Sequence, residues 1–158
     1  WALISAKRKE KSEERFNDVI VDEMGFCSSQ ERIFVKQKNA YHMVDTKGKA
    51  VGEETFDAAK AFHDEGYAAV CKDKKWGFVN SDGELKIDYT YEDAQSFQNG
   101  FAAVCIDGKW GYIDEKGELA IQPEFLKATP VSEQGTIVVT VKESGDTKWR
   151  LLQLNLFQ

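Results

Sequence analysis

Long apolar runs are missing from this sequence, which nowhere approaches the roughly 18 consecutive apolar residues of a membrane-spanning helix. Its first residues lack the charged, apolar and small-residue sections of a signal peptide, so a soluble segment without a membrane span is expected. The chain opens at Trp1, inside the pattern described below, which leaves room for upstream residues and for an anchor or signal among them. An excess of positive charge is missing too. The formal net charge is −6, which gives no global positive field for nucleic acid or an anionic membrane surface and suits a basic or neutral partner better.

Cysteine and histidine are scarce. Cys27, Cys71 and Cys105 form an odd set with no C-x-x-C pair, against both a disulfide framework and a tetrahedral zinc site. Reduced thiols weigh toward the cytoplasm. His42 and His63 are the two histidines, and neither has a Ser, Cys or acidic partner at a recognised catalytic spacing. No metal, cofactor or catalytic residue is expected. What the sequence does have is apolar material, 42% of 158 residues, enough for a core.

That material is arranged in repeats. Tyr67-Ala-Ala-Val-Cys71 followed by Lys75-Trp-Gly-Phe-Val79 recurs as Phe101-Ala-Ala-Val-Cys105 followed by Lys109-Trp-Gly-Tyr-Ile113, 34 residues on. A second aromatic follows each anchor at a constant 15 residues, pairing Trp76 with Tyr91, Trp110 with Phe125, Tyr41 with Phe56 and Trp1 with Phe16. Three residues later stands Val19, Ala59, Ala94 or Ala128. The anchors Trp1, Tyr41, Trp76, Trp110 and Trp149 divide the chain into a diverged repeat at 1–40, repeats at 41–75, 76–109 and 110–148, and a partial capping repeat at 149–158. The outer repeats carry insertions, one around Ile20 to Ser29 and one around Glu143 to Thr147, where Ser144-Gly145-Asp146 is expected to lengthen a turn.

Each copy reads as an antiparallel three-stranded meander. Phe101 to Ile106 alternates and ends at Asp107-Gly108, a type I′ hairpin signal, and Trp110 to Ile113 returns. Asp114-Glu-Lys-Gly117, matched by Asp45-Thr-Lys-Gly48 and Asn80-Ser-Asp-Gly83, forms a turn with glycine at the left-handed position, and Glu118 to Ile121 is the third strand. The connector Phe56-Asp-Ala-Ala-Lys-Ala-Phe62 spaces its apolar residues for either a helical turn or a bulged strand. One meander is marginal alone, so copies must stack. The expected fold is all-β, an open twisted array, since units of this length are shorter than WD40 propeller blades.

The run from Lys109 to Phe125, Lys-Trp-Gly-Tyr-Ile-Asp-Glu-Lys-Gly-Glu-Leu-Ala-Ile-Gln-Pro-Glu-Phe, resembles the WG β-repeat found in tandem in bacterial proteins. The resemblance is close over 67–135. It is weaker over 31–66, where Tyr41-His42 replaces Trp-Gly, weaker again at 1–30 with Trp1-Ala2 and Arg8 at the turn-glycine position, and Trp149-Arg150 departs similarly. It implies a non-enzymatic repeat module, often attached to other domains.

Candidate sites compete with structural readings. The ladder Tyr41, Trp76, Trp110, Trp149 offers flat rings for stacking a sugar or peptide, but residues repeated at every unit boundary suit packing, with Gly77 and Gly111 allowing close backbone approach. Trp76 and Trp110 are therefore expected to be buried. Cys71 and Cys105 read as small buried hydrophobes. The cluster Lys7-Arg8-Lys9 with Lys11 alternates with Glu10, Glu13 and Glu14, as at a solvated hairpin tip. Asn80-Ser-Asp-Gly-Glu84 lacks the ligand spacing of an EF-hand and reads as a turn.

Positions where copies differ on a shared backbone are free to diverge for function. His42 and Arg150 replace the motif glycine, and Tyr89 stands where Pro123 stands one copy later. These three are the candidate binding residues, expected on one exposed face. A monomeric protein-interaction or scaffolding module is the leading reading, and a cell-envelope glycan-binding module the alternative.

Overall fold

The computed structural model describes residues 15–21, 27, 30–63 and 66–154, and within them the chain is all-β. Strands β1 (Asp18–Val19), β2 (Arg32–Gln37), β3 (Ala40–Asp45) and β4 (Ala50–Phe56) make the first antiparallel sheet, in that order. The second holds β5 (Ala58–Ala59), β6 (Ala68–Lys72), β7 (Lys75–Val79) and β8 (Leu85–Tyr91). The third holds β9 (Asp93–Ala94), β10 (Phe101–Ile106), β11 (Lys109–Asp114) and β12 (Leu119–Phe125). The fourth has β13 (Lys127–Ala128), β14 (Thr136–Glu143) and β15 (Asp146–Gln153). Among the described residues no sheet closes into a barrel. Trp1 and the Lys7 to Glu14 cluster lie outside the described residues.

The meander gains a short fourth strand that the sequence pattern did not anticipate. The connector after each second aromatic is a two-residue strand rather than a helical turn, and its small or β-branched member pairs with a central valine: Val19 with Val35, Ala59 with Val70, Ala94 with Val104, Ala128 with Val139. A small side chain there lets the connector lie flat on the sheet before it peels away.

Hairpin tips follow the expected chemistry. Asp107 and Gly108 both have positive φ, 49° and 71°, as a type I′ turn requires, and Asp73 and Lys74 match them at 50° and 64°. The longer turns close on Asp45, Asn80 and Asp114, each of whose Oδ1 accepts two main-chain N–H bonds, for Asp114 from Lys116 and Glu118 at 2.9 Å. A further repeated contact ties the first three second-aromatic corners to the next hairpin tip. Asn17 accepts from the Lys38 N–H, Asp57 from Asp73 and Glu92 from Gly108, at 2.8–3.0 Å. Leu126 follows Phe125 at the equivalent place and has no acceptor to offer. That hairpin is also the one that differs. It gains two pairs beyond its neighbours, Lys142 with Thr147 and Glu143 with Asp146, so the inserted residues lengthen both strands while Ser144-Gly145 remains a two-residue turn.

Sheets stack through alternate faces. Phe34 and Met43 of the first sheet meet Ala68, Val70 and Val79 of the second. Ala69 and Phe78 on the second sheet's other face meet Ala102, Val104 and Ile113 of the third, and Ala103 and Tyr112 meet Ile137 and Val139 of the fourth. Phe56, Tyr91 and Phe125 are buried beside these layers. The anchor rings are not the core. Tyr41, Trp76 and Trp110 are only partly buried, and the deepest large side chains come two residues later, Phe78 and Tyr112 at 0% exposure and Met43 nearly so. Alternation places anchor and core residue on one face, but the anchor sits one pair from the hairpin tip while the later residue lies at the sheet's centre.

Candidate functional site

His42, Tyr89 and Arg150 do not come together. His42 lies on β3 between Tyr41 and Met43, both of which pack into the layer between the first and second sheets, so alternation directs it to the other side. Tyr89 packs into that same first–second layer, where burial, and then the Glu54 carboxylate, raises its phenol above the ordinary range. Arg150 lies opposite Val139 on the last hairpin and pairs with Glu143 at 2.5 Å. His42 and Tyr89 are partly buried and Arg150 is exposed, so the expected common exposed face is absent.

The reason His42 and Arg150 can replace glycine is steric. A Cβ on Gly77 would lie 2.6 Å from the Ile87 carbonyl oxygen, and one on Gly111 2.6 Å from that of Ile121, because the bulges of β8 and β12 press backbone against them. In the first sheet the register shift falls later, between His42 and Val44, so His42 faces a regularly paired Thr55. Beside Arg150 no strand pairs with the outer edge of β15 among the described residues.

The aromatic ladder is not a free platform along its length. The Lys60 ammonium lies 4.8 Å from the centre of the Trp76 ring and the Lys36 ammonium 5.4 Å from that of Tyr41. Trp149, at 65% exposure, is the exception. Cys71 and Cys105 are buried at equivalent positions opposite Trp76 and Trp110. Burial raises both thiols, and Asp57 and Glu92 respectively raise them further, which disfavours the thiolate a nucleophile needs. Among the described residues no group of His, Cys, Asp and Glu is placed to hold a metal, and no helix is long and apolar enough to cross a membrane.

A concave feature lies where the connectors run side by side. A groove of about 590 Å³ is lined by Ile20 and Val21 of the first connector, Ala59 to Ala61 with His63 of the second, Gln95, Ser96 and Gln98 of the third, and Pro130 of the fourth. Its walls are built by one device used repeatedly. The residue after each short strand still donates its main-chain N–H to the adjacent long strand, Ile20 to Phe34, Lys60 to Ala69, Gln95 to Ala103 and Thr129 to Val138, at 2.9–3.1 Å.

Side chains then lace adjacent connectors together. Lys60 Nζ donates to the Ala94 carbonyl, Gln95 Nε2 to that of Ala128 at 3.1 Å, and Asn99 Nδ2 to that of Val131 at 2.8 Å. Fixing the Gln95 amide through its nitrogen leaves Oε1 buried without a hydrogen-bond partner among the described residues. Residue-by-residue reading missed this site because its walls come from residues a whole repeat apart. The available signal was the row Ile20, Lys60, Gln95, Thr129, whose chemistry changes in every copy.

No curated protein matches this chain. The family model for the WG containing repeat matches residues 43–76, 76–110 and 110–143, in frames that run close to anchor-to-anchor. Three contiguous matches spanning more than half of the sequence, on a backbone that repeats in the same frames, show that the chain belongs to the WG containing repeat family.

Proposed function

We propose that this repeat module is non-catalytic and binds a protein partner, which enters as an extended segment along the connector groove. The observation that carries the reading is a groove that crosses four connectors, with the Gln95 side chain in its wall. An extended polypeptide presents N–H and C=O groups along its length and side chains alternately to either side, which suits a wall that mixes apolar Ile20, Val21 and Ala61 with polar His63, Gln95 and Gln98. The volume falls within the range of ordinary ligand sites. A chain of net charge −6 attracts a basic or neutral segment over an acidic one.

A glycan-binding role finds less support. A sugar needs an open ring face, and Lys60 and Lys36 lie over Trp76 and Tyr41.

Peptides selected from a random displayed library, titrated into isotopically labelled protein, test the proposal. Amide shifts concentrated at Lys60 to His63 and Gln95 to Gln98 support it. Shifts confined to the hairpin tips, or selection that yields no peptide while a cell-wall oligosaccharide perturbs the Trp76 and Trp110 indoles, would refute it.

A further inference from the structure

The second connector lacks two contacts that its counterparts make for themselves. In each short strand the small or β-branched residue turns its main-chain N–H and C=O away from the long strand beside it, because the N–H of the next residue bonds to that strand, as Lys60 does to Ala69 and Gln95 to Ala103. Side chains meet these outward groups. The N–H of Val19 and that of Ala94 each donate to the preceding carboxylate, Asp18 at 2.9 Å and Asp93 at 2.8 Å. The carbonyls of Ala94 and Ala128 each accept from a residue one copy earlier, Lys60 Nζ and Gln95 Nε2. At Ala59 the corresponding residues are Ala58 and Ile20, and neither has a polar side-chain atom. Ala59 and Ile20 both line the connector groove, so this main-chain pair stands in its wall.

We infer that an extended segment of the partner protein forms a β-bridge with Ala59, donating a main-chain N–H to the Ala59 carbonyl and accepting from the Ala59 N–H. The inference rests on the connector groove as the binding site and names the contact made there. One residue of an extended chain carries a donor and an acceptor on the same side, and two such residues exchange both bonds when they face each other. A lone anion could meet only the N–H and a lone cation only the carbonyl. The lining narrows the segment further. Ile20, Val21 and Ala61 flank the bridge and suit an apolar side chain there, while the net charge of −6 favours neutral or basic residues on either side.

Two variants give Ala59 what its counterparts have. Ala58→Asp supplies the carboxylate that Asp93 offers Ala94, and Ile20→Gln supplies the amide that Gln95 offers Ala128. Both positions are partly buried, and both residue types already stand at these places in other copies, so the unfolding midpoint should stay level or rise. The affinity of a library-selected peptide for the 158-residue chain should nevertheless fall at least about tenfold in each, and Ile20→Leu should retain it. Saturation with the peptide should slow deuterium exchange at the Ala59 amide at least about tenfold and leave the Ala94 amide unchanged. If Val21→Asp weakens the peptide while Ala58→Asp and Ile20→Gln do not, or if the Ala59 amide is not slowed, the bridge is overturned and the groove reading stands. A library that yields no binder, or full affinity in all three variants, would overturn both.

Discussion

Trp76 and Tyr91 face each other across the β7–β8 pair, and the 15-residue offset from one to the other is the length of one bulged hairpin. The same pairing joins Trp110 to Phe125 and Tyr41 to Phe56. The spacing that reveals the repeat is thus a cross-strand contact written into the chain. It does not mark the centre of the core, because Tyr91 is buried while Trp76 is only partly covered.

Truncation should rank the side chains by depth rather than by ring size. Tyr112→Ala removes a fully buried ring and the hydroxyl that donates to the Thr129 carbonyl at 2.7 Å, and should cost about 3–5 kcal/mol. Trp110→Ala should cost about 1–2 kcal/mol, since part of its ring already meets water, and Trp149→Ala less than about 0.5 kcal/mol. Urea unfolding of the three variants measures the order. A loss at Trp110 larger than at Tyr112 would mean that the anchor ring is the core after all.

Glycine at the motif position is required only where a bulge presses on it. Gly111→Ala puts a methyl 2.6 Å from the Ile121 carbonyl oxygen and should destabilise by about 1–3 kcal/mol. His42→Gly, at a regularly paired position, should change stability by less than about 1 kcal/mol. Equal losses in the two unfolding titrations would contradict the bulge argument.

Much of this arrangement was legible in the sequence, for physical reasons that also mark its limits. The turn at Asp107-Gly108 and the glycine at Gly117 announce themselves because few residues tolerate their backbone geometry. Alternation in Phe101 to Ile106 gives a strand and its faces. The strand Ala58–Ala59 does not announce itself, since two residues cannot display a period and the sheet alone decides their conformation. Alternation likewise puts Trp110 and Tyr112 on one face without saying which lies nearer the hairpin tip. His42 and Arg150 stood out as departures from a pattern, but a displaced bulge at the first, and at the second an outer edge that pairs with no strand among the described residues, explain why each is tolerated. The groove stayed hidden because it exists only between repeats.

Alkaline conditions should weaken the fold, and the sign follows from the buried acids. Burial holds the Cys71 and Cys105 thiols above their ordinary value of 9.0 and the Tyr112 phenol far above 10.0. The folded chain therefore keeps protons that the unfolded chain releases, so this stabilisation is fully present below the ordinary values and is lost as pH rises through the folded ones. Urea midpoints should be level from about pH 7 to 8 and fall beyond about pH 9. Tyr112→Phe should flatten the decline above about pH 10. A midpoint that rises with pH in this window would exclude the assignment.

The central claim is that the connector groove receives the partner, and blocking the groove without disturbing the sheets tests it most directly. Val21, 51% exposed, and Gln98, partly exposed, both line it, so Val21→Asp and Gln98→Trp should leave the unfolding midpoint nearly unchanged. The measurement is the affinity of a library-selected peptide for the unaltered chain and for each variant, with Lys142→Ala on the distant last hairpin as the control. The account predicts at least about a tenfold loss for both groove variants and none for the control. Full affinity in both groove variants would contradict it and move the binding surface off the connectors.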